Sequence, residues 1–112
     1  MKITKLSEAQ SVPFNLDGRI MSKSNEIEII HLHLKPGEKL EKHRNPFDTV
    51  FYILEGNAII STEEGEIETE PDMVIELSQT LERSVENNEF SDFRMLVIKK
   101  LSTPGTVLQV LL

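Results

Sequence analysis

The chain of 112 residues has no cysteine and no tryptophan, and its aromatic side chains are one tyrosine and five phenylalanines. Without cysteine it has no disulfide, no thiolate metal ligand and no cysteine nucleophile, which suits a reducing compartment. With so few aromatic side chains, a core has to be built mainly from isoleucine, leucine and valine. At this length we expect one domain, residues 1–112, that buries a single core.

Long apolar runs and clustered basic charge are also missing. No apolar stretch approaches the roughly 20 residues of a membrane-spanning helix. Residues 1–10 lack the apolar segment of a signal peptide. The formal net charge is −7, and no basic stripe of the kind that binds a phosphate backbone is present. We therefore expect a cytoplasmic protein that binds neither nucleic acid nor membranes.

Turn residues and alternating strand patterns recur along the chain, whereas helical periodicity is scarce. Residues 26–34, EIEIIHLHL, predict a strand that ends at Pro36 and Gly37, and residues 38–48 then predict a loop. About nine or ten short strands at spacings of roughly 8–12 residues predict an all-β sandwich or barrel with little or no helix. Residues 3–6 are expected to form a loosely extended start. The other predicted strand segments are residues 12–14, 16–21, 49–54, 57–62, 66–70, 73–77, 83–86 and 93–101.

One stretch of this β pattern resembles the first sequence motif of the cupin superfamily, G-x5-H-x-H-x3/4-E-x6-G. Gly37 and His43 keep the first spacing, Asn45 stands where the second histidine belongs, and Thr49 stands where the glutamate belongs. Gly56 closes the motif at the expected distance. The resemblance implies that this stretch leads into a strand of a small β-barrel.

A second stretch resembles the end of the second cupin motif, H-x3-N. Residues 83–87 read RSVEN, with Arg83 in place of the histidine, and Pro71-Asp72 stands upstream where a Gly-Asp turn is usual. The resemblance covers a core of residues 26–101. It implies a jelly-roll barrel, also called a double-stranded β-helix.

Cupins that hold a metal use three histidines and one glutamate that project into the barrel mouth. The resemblance places His43, Asn45, Thr49 and Arg83 at these positions, and only the histidine is a good ligand. Arg83 is a permanent cation that would repel a metal ion. We therefore expect no cofactor at the inherited site.

A rebuilt site for a divalent metal is an alternative. His31 and His33 are two residues apart on one predicted strand and share a face. If that face lines the barrel, His31, His33 and His43 form a three-histidine set that zinc accepts. On the opposite parity both strand histidines point outward, towards solvent or a partner subunit. The more apolar face, and the natural barrel lining, consists of Ile30, Leu32 and Leu34.

The strand after the first motif is apolar on both faces. If Thr49 keeps the inward direction of the glutamate it replaces, Phe51 also points inward, and the outward row is Val50, Tyr52 and Leu54. Because an exposed sheet would not leave such a row in water, we expect a cover.

A homodimer is the simplest cover, since dimers are common among cupins. The apolar C-terminal tail, residues 106–112, either adds to such an interface or folds back over its own barrel.

Without a metal, the barrel mouth is expected to be a polar pocket with an apolar floor. The candidate ligand-binding residues are His43, Asn45, Thr49, Phe51 and Arg83. Arg83 suits a carboxylate or phosphate, and His43 and Asn45 suit hydrogen bonds. The leading hypothesis is a small cupin that binds a small, anionic molecule without the usual catalytic metal.

In the competing interpretation of the same residues, Arg83 pairs with an acid such as Glu76, Glu82 or Glu86, and His43 caps a loop. The pocket would then bind nothing.

Two further alternatives concern the class of protein. The first is an enzyme, either metal-dependent through the three histidines or a metal-independent isomerase or epimerase with His43 as general base. Related epimerases pair such a histidine with an acid and a tyrosine, but here Tyr52 is predicted to point away from the cavity and Asp48 lies in a loop. The second is a structural barrel that serves only for dimerisation.

Overall fold

The computed structural model describes residues 1–101, which form ten β-strands and one three-residue 3-10 helix, Leu6–Glu8. No helix in this part of the chain is long and apolar enough to cross a membrane. The predicted interface segment, residues 106–112, lies outside the described residues. The strands are β1 (Gln10–Ser11), β2 (Asp17–Lys23), β3 (Ile27–Leu34), β4 (Lys39–His43), β5 (Thr49–Glu55), β6 (Ile59–Thr62), β7 (Gly65–Glu68), β8 (Val74–Leu77), β9 (Arg83–Glu86) and β10 (Phe93–Lys100).

The strands form two antiparallel sheets whose inner faces enclose the core. The large sheet has six strands in the order β1-β2-β3-β10-β5-β8, and the small sheet has four in the order β4-β9-β6-β7. Side chains of both sheets meet in one apolar cluster, to which the small sheet contributes Ile60 and Val85. The predicted all-β, jelly-roll fold is confirmed.

Inside the large sheet, the register of β3, β10 and β5 places inward side chains at matching heights. The β-strand period of two keeps alternate residues of each strand on the inner face, so each level consists of inward-pointing side chains. Along the barrel these levels change from apolar to polar. The polar level marks one end of the barrel as its mouth. From the packed end to the mouth, the levels are Leu34–Phe93, Leu32–Met95–Ile53, Ile30–Val97–Phe51 and Glu28–Lys99–Thr49.

The alternation predicted for the strand after the first motif is present in β5. Thr49 and Phe51 are buried, whereas Val50, Tyr52 and Leu54 on the other face are only partly buried.

Gly56 follows β5 with a φ of 79°, a conformation that L side chains rarely adopt. A Cβ at this position would also collide with the backbone carbonyl of Asp92. The glycine that closes the motif is therefore required both by its backbone conformation and by the close approach of another chain segment.

Two local predictions are wrong. Residues 38–48 are not one loop, because β4 (Lys39–His43) lies within them and pairs with β9. Only Leu40 in this five-residue strand is apolar, so the segment lacks the pattern of a strand with a core-facing row. Residues 12–14 were predicted as a strand but lie in an irregular segment; Pro13 in that segment has no N–H to donate to a ladder.

Candidate functional site

A cavity of about 120 Å³ lies between the two sheets at the mouth of the barrel. Most of its wall is apolar and comes from β3, β5, β10 and the segment that precedes β2. All five residues predicted to bind a ligand lie in its wall, and one further cation joins them. These residues are His43, Asn45, Thr49, Phe51, Arg83 and Lys99.

His43 and Arg83 lie side by side on the small sheet. His43 on β4 is the register partner of Arg83 on β9, and directly paired residues in an antiparallel sheet project from the same face. The pairing brings a cation and an imidazole, distant in sequence, to the same wall of the cavity.

Arg83 is a buried cation with little to satisfy it. The residue is 1% exposed, and within residues 1–101 its side chain makes one hydrogen bond, a long contact of 3.4 Å from Nη2 to the Ser78 carbonyl oxygen. Its Nε is buried and has no partner within the described residues. Burial lowers the pKa of the guanidinium from its ordinary value, because removal from water disfavours the charged form. Arginine nevertheless stays protonated in proteins, so the charge persists.

Arg83 does not form the ion pair that the competing interpretation requires. None of the ion pairs within 4.0 Å in residues 1–101 includes Arg83. Every Asp and Glu of the chain lies in this described part. Of the three predicted partners, Glu82 is instead within ion-pair distance of Lys42 and Arg44.

His43 is partly buried and its ring is oriented by its own strand. Nδ1 lies 2.9 Å from the Glu41 carbonyl oxygen. Since a carbonyl only accepts, Nδ1 carries the hydrogen and donates it. Nε2 is then an acceptor in the neutral ring and a donor when the ring is protonated.

Asn45 and Thr49 hold the loop between β4 and β5. Asn45 Oδ1 accepts a hydrogen bond of 3.1 Å from the Phe47 N–H, and Thr49 Oγ1 donates one of 3.1 Å to the Phe47 carbonyl. Asn45 therefore has its amide NH₂ left to offer a ligand, and Thr49 has only its oxygen lone pairs. The amide suits an anion, and the hydroxyl oxygen suits a donor.

Lys99 in the cavity wall was not among the predicted site residues. It lies 3.3 Å from Glu28 Oε1, and Lys23 lies 3.3 Å from the other oxygen of the same carboxylate. The inward alternation of β10 could have identified Lys99, since Phe93, Met95 and Val97 precede it on the same face. Its partner Glu28 depends on strand register, which the sequence does not display.

His31 and His33 lie on the outer face of the large sheet, as the apolar parity predicts. They border a surface pocket with Asp17, Arg19 and Arg94, whereas His43 borders the barrel cavity. The three histidines of the alternative metal set are therefore not brought together. Within residues 1–101, no group of three or more His, Cys, Asp or Glu is placed to hold a metal ion.

The outer side chains form an ion-pair and hydrogen-bond network, which we name the outer network. Arg94 Nε donates to His31 Nε2 at 3.0 Å, and Arg94 Nη1 pairs with Glu55 at 3.2 Å. Burial, and then the charge of Arg94, lowers the pKa of His31, which favours the neutral ring. The other members are Asp17, Arg19, His33 and Asp92.

His33 lies between two carboxylates of the outer network. Its Nδ1 is 3.5 Å from Asp17 Oδ2, and its Nε2 is 3.3 Å from Asp92 Oδ2. The second contact lacks hydrogen-bond geometry, since Nε2 is a buried atom without a hydrogen-bond partner in the described chain. These contacts are ion pairs only when the ring is protonated.

The acid and tyrosine of the epimerase alternative are not assembled around His43. The Tyr52 hydroxyl, on the outer face, donates to Asp72 at 2.8 Å, and this bond raises the pKa of the phenol. Asp48 Oδ1 accepts a hydrogen bond of 2.7 Å from the backbone N–H of Gln79.

The residues at the inherited metal positions do not fit a divalent ion. His43 is the one good ligand, Asn45 and Thr49 have hydrogen bonds within their own loop, and Arg83 brings a buried positive charge. A cation in the cavity would meet a fixed cation rather than a carboxylate.

Comparison by sequence finds a family but no curated relative. Residues 30–99 match the family model described as a cupin domain. No curated protein is significantly similar to the chain.

Comparison by structure finds many similar folds. A predicted oxalate decarboxylase from Thermotoga maritima superimposes with a TM-score of 0.81 at 16% identity, covering 90% of this chain and 100% of that one. The polyketide cyclase RemF from Streptomyces resistomycificus gives 0.80 at 14% identity, covering 93% and 82%. A cupin superfamily protein from Desulfitobacterium hafniense gives 0.73 at 20% identity, covering 87% of each chain. At these identities the likeness concerns the fold.

Proposed function

The chain belongs to the cupin superfamily, and we propose that it binds a small anionic molecule in the mouth of its barrel without a catalytic metal. The observation that carries the proposal is Arg83: a guanidinium 1% exposed, in the wall of a cavity, with no carboxylate within ion-pair distance in the described residues.

A buried charge without a partner is unfavourable. An ion removed from water without a partner costs several kcal/mol, so proteins pair such groups or place them where a ligand completes them. The Arg83 guanidinium has five N–H donors, and in the part of the chain that the structure describes it makes one long hydrogen bond. A planar carboxylate accepts two parallel bonds from a guanidinium, the strongest arrangement available to this group.

The neighbouring polar groups support an anion more than a cation. The Asn45 amide NH₂ is a donor, and His43 Nε2 donates when its ring is protonated. Thr49, whose hydroxyl hydrogen is directed to Phe47, can accept a bond from a hydroxyl group of the ligand. In this proposal, Arg83 pairs with the negative charge of the ligand, Asn45 and His43 orient the ligand by hydrogen bonds, and Phe51 contacts its apolar part.

Binding can be measured by isothermal titration calorimetry with a panel of small carboxylates and inorganic phosphate at constant ionic strength. We expect at least one anion to bind the wild-type protein and Arg83→Met to abolish that binding. Arg94→Met is the matched control, because Arg94 is also a strand arginine but lies in the outer network. Absence of binding by every anion, or equal binding by Arg83→Met, would refute the proposal.

We also propose that the protein is a homodimer whose interface covers the apolar row on the outer face of β5 and β8 and leaves the outer network in water. Val74 on the edge strand β8 is 55% exposed and is the register partner of Tyr52. Val50 and Leu54 continue the same row on β5 and are only partly buried. A location in the cytoplasm, suited by the lack of cysteine, belongs to the same proposal.

Light scattering coupled to size-exclusion chromatography tests the dimer. We expect twice the mass of the chain for the wild type and a monomer for Leu54→Glu, because a charge in an apolar interface is unfavourable. A wild-type monomer at all accessible concentrations would exclude the interface.

A further inference from the structure

We propose that the anion is a short monocarboxylate with an apolar body, of about five or six non-hydrogen atoms, rather than a phosphate or a dicarboxylate. This inference rests on the proposed function and names the chemical class of its ligand. In this arrangement the carboxylate meets Arg83, and the hydrocarbon part lies against Phe51 and Val97. The three observations that carry it are the number of uncompensated charges, the chemistry of the walls and the size of the cavity.

Among residues 1–101, Arg83 is the one cation of the cavity wall that has no carboxylate within ion-pair distance. Lys99 also borders it, but the Lys99 ammonium is 3.3 Å from Glu28 Oε1. A second negative charge on the ligand would have to draw Lys99 away from Glu28 and would meet the repulsion of that carboxylate. A ligand with a single negative charge is matched by Arg83 alone.

The walls offer few donors to a polar ligand. Opposite the small sheet, the cavity is bounded by Ile30, Leu32, Phe51 and Val97, two levels of apolar side chains below the polar mouth. A phosphate has several charged oxygens that each need a donor, and those directed at these walls would be desolvated without one. A hydrocarbon body in the same place is stabilised by its removal from water.

The segment before β2 supplies an apolar side to the mouth. Val12, Phe14 and Leu16 border the cavity, and Val12 packs so closely on Gly18 that a Cβ there would lie 2.6 Å from Val12 Cγ2. Phe14 is 70% exposed although it borders the cavity. An apolar ligand would add contact with these side chains, which a small hydrated anion would not.

The volume sets the size of the ligand. An engineered apolar cavity of about 150 Å³ in another protein holds benzene, which has six carbon atoms. The present cavity, about 120 Å³, is slightly smaller. It therefore suits molecules such as propionate, butyrate and isobutyrate and is too small to enclose a long hydrocarbon chain.

Calorimetric titration with acetate, isobutyrate, succinate and inorganic phosphate, at constant ionic strength, tests the ligand class. Isobutyrate is expected to bind roughly 15-fold more tightly than acetate, because two further carbon groups are buried. Isobutyramide, which has nearly the same shape without the charge, is expected not to bind. Succinate and phosphate are expected to bind more weakly than isobutyrate.

A conservative variant separates the wall from the charge. Val97→Thr is nearly isosteric and adds a hydroxyl to the apolar wall, so isobutyrate affinity should fall several-fold while acetate affinity stays the same. The matched control is Val50→Thr, the same change on the outer face of β5, which should leave both affinities unchanged. Equal effects of the two variants would overturn the assignment of the hydrocarbon part to this wall.

The two proposals fail in different ways. Tightest binding of phosphate or succinate, lost in Arg83→Met, would overturn the monocarboxylate assignment and leave the anion site intact. Equal affinity for acetate and isobutyrate would also overturn it. Absence of binding by every anion would refute both proposals.

Discussion

The arginines on the outer face of the large sheet and the arginine in the cavity between the two sheets have opposite environments. In the outer network, Arg94 meets both His31 and Glu55, and Arg19 meets Asp17. At the cavity, the Arg83 side chain has one long bond to a backbone carbonyl within the described residues, although it is much more deeply buried.

Stability alone would favour the reverse arrangement. A partly exposed arginine keeps much of its hydration and gains little from a partner, whereas a buried one needs a partner most. In residues 1–101 the outer arginines are nevertheless paired, and the buried one has no carboxylate within ion-pair distance. This difference is the reason for assigning Arg83 to a ligand and the outer network to the structure of the barrel.

The largest expected effect comes from Arg83→Met. Without ligand, removal of a buried, unpaired charge should raise the free energy of unfolding by about 1–3 kcal/mol. Urea denaturation of both proteins measures the difference. A loss of stability in the variant would show that Arg83 is a structural residue. Arg83 and the outer arginines would then have the same role.

Arg94→Met should instead lower the free energy of unfolding. It leaves the buried Nε2 of His31 without its donor, and we expect a loss of about 1–2 kcal/mol in the free energy of unfolding. The same denaturation experiment measures it. A stabilised variant would place Arg94 in the same class as Arg83.

The pH dependence of stability should report His31. The pKa of His31 in the unfolded chain is about 6.5, and its pKa in the folded protein is lower. As the pH falls, the unfolded state therefore takes up a proton first. Stability is therefore expected to decrease below about pH 6.5 by at most about 1.4 kcal/mol per pH unit, until the folded pKa is reached.

His31→Gln, which keeps an acceptor for Arg94, should reduce this slope. Denaturation curves at pH 5.5, 6.5 and 7.5 compare the two proteins, and a series above pH 7.5 serves as control, because His31 is neutral there in both states. Identical slopes in the acid range would contradict the assignment.

The smallest effect is expected for Tyr52→Phe. The hydrogen bond to Asp72 is exposed, so its loss should change the free energy of unfolding by less than about 1 kcal/mol and leave anion binding unchanged. A large loss of affinity would place Tyr52 in the functional site, against its position on the outer face.

Many strands of the barrel could be predicted, because the alternation of apolar and polar residues and the turn residues between strands are visible in the sequence. The bounds of β9 match the predicted residues 83–86, and β3 and β10 differ from prediction by one residue at an end. The strand β4 was missed because it is defined by its pairing with β9, and its own five residues are exposed or only partly buried and show no core-facing row.

The residues of the candidate site that belong to the two motifs could be predicted from the motif spacing. The contacts that depend on the register between strands could not. His43, Asn45, Thr49 and Arg83 were found from the motifs and do line one cavity. The pairing of Lys99 with Glu28 and the whole outer network join residues from different strands. Such contacts follow from three-dimensional register, which no single segment of sequence displays.

The two bonds to Phe47 set a cost on building a metal site in this cavity. Placing histidine at Asn45 and glutamate at Thr49 would supply metal ligands, but it would also remove both side-chain bonds that hold the loop between β4 and β5. At about 1 kcal/mol for each bond, the double substitution would weaken the barrel before it gained an ion. Asn45 and Thr49 therefore hold the loop in place at two positions where a metal site would need ligands.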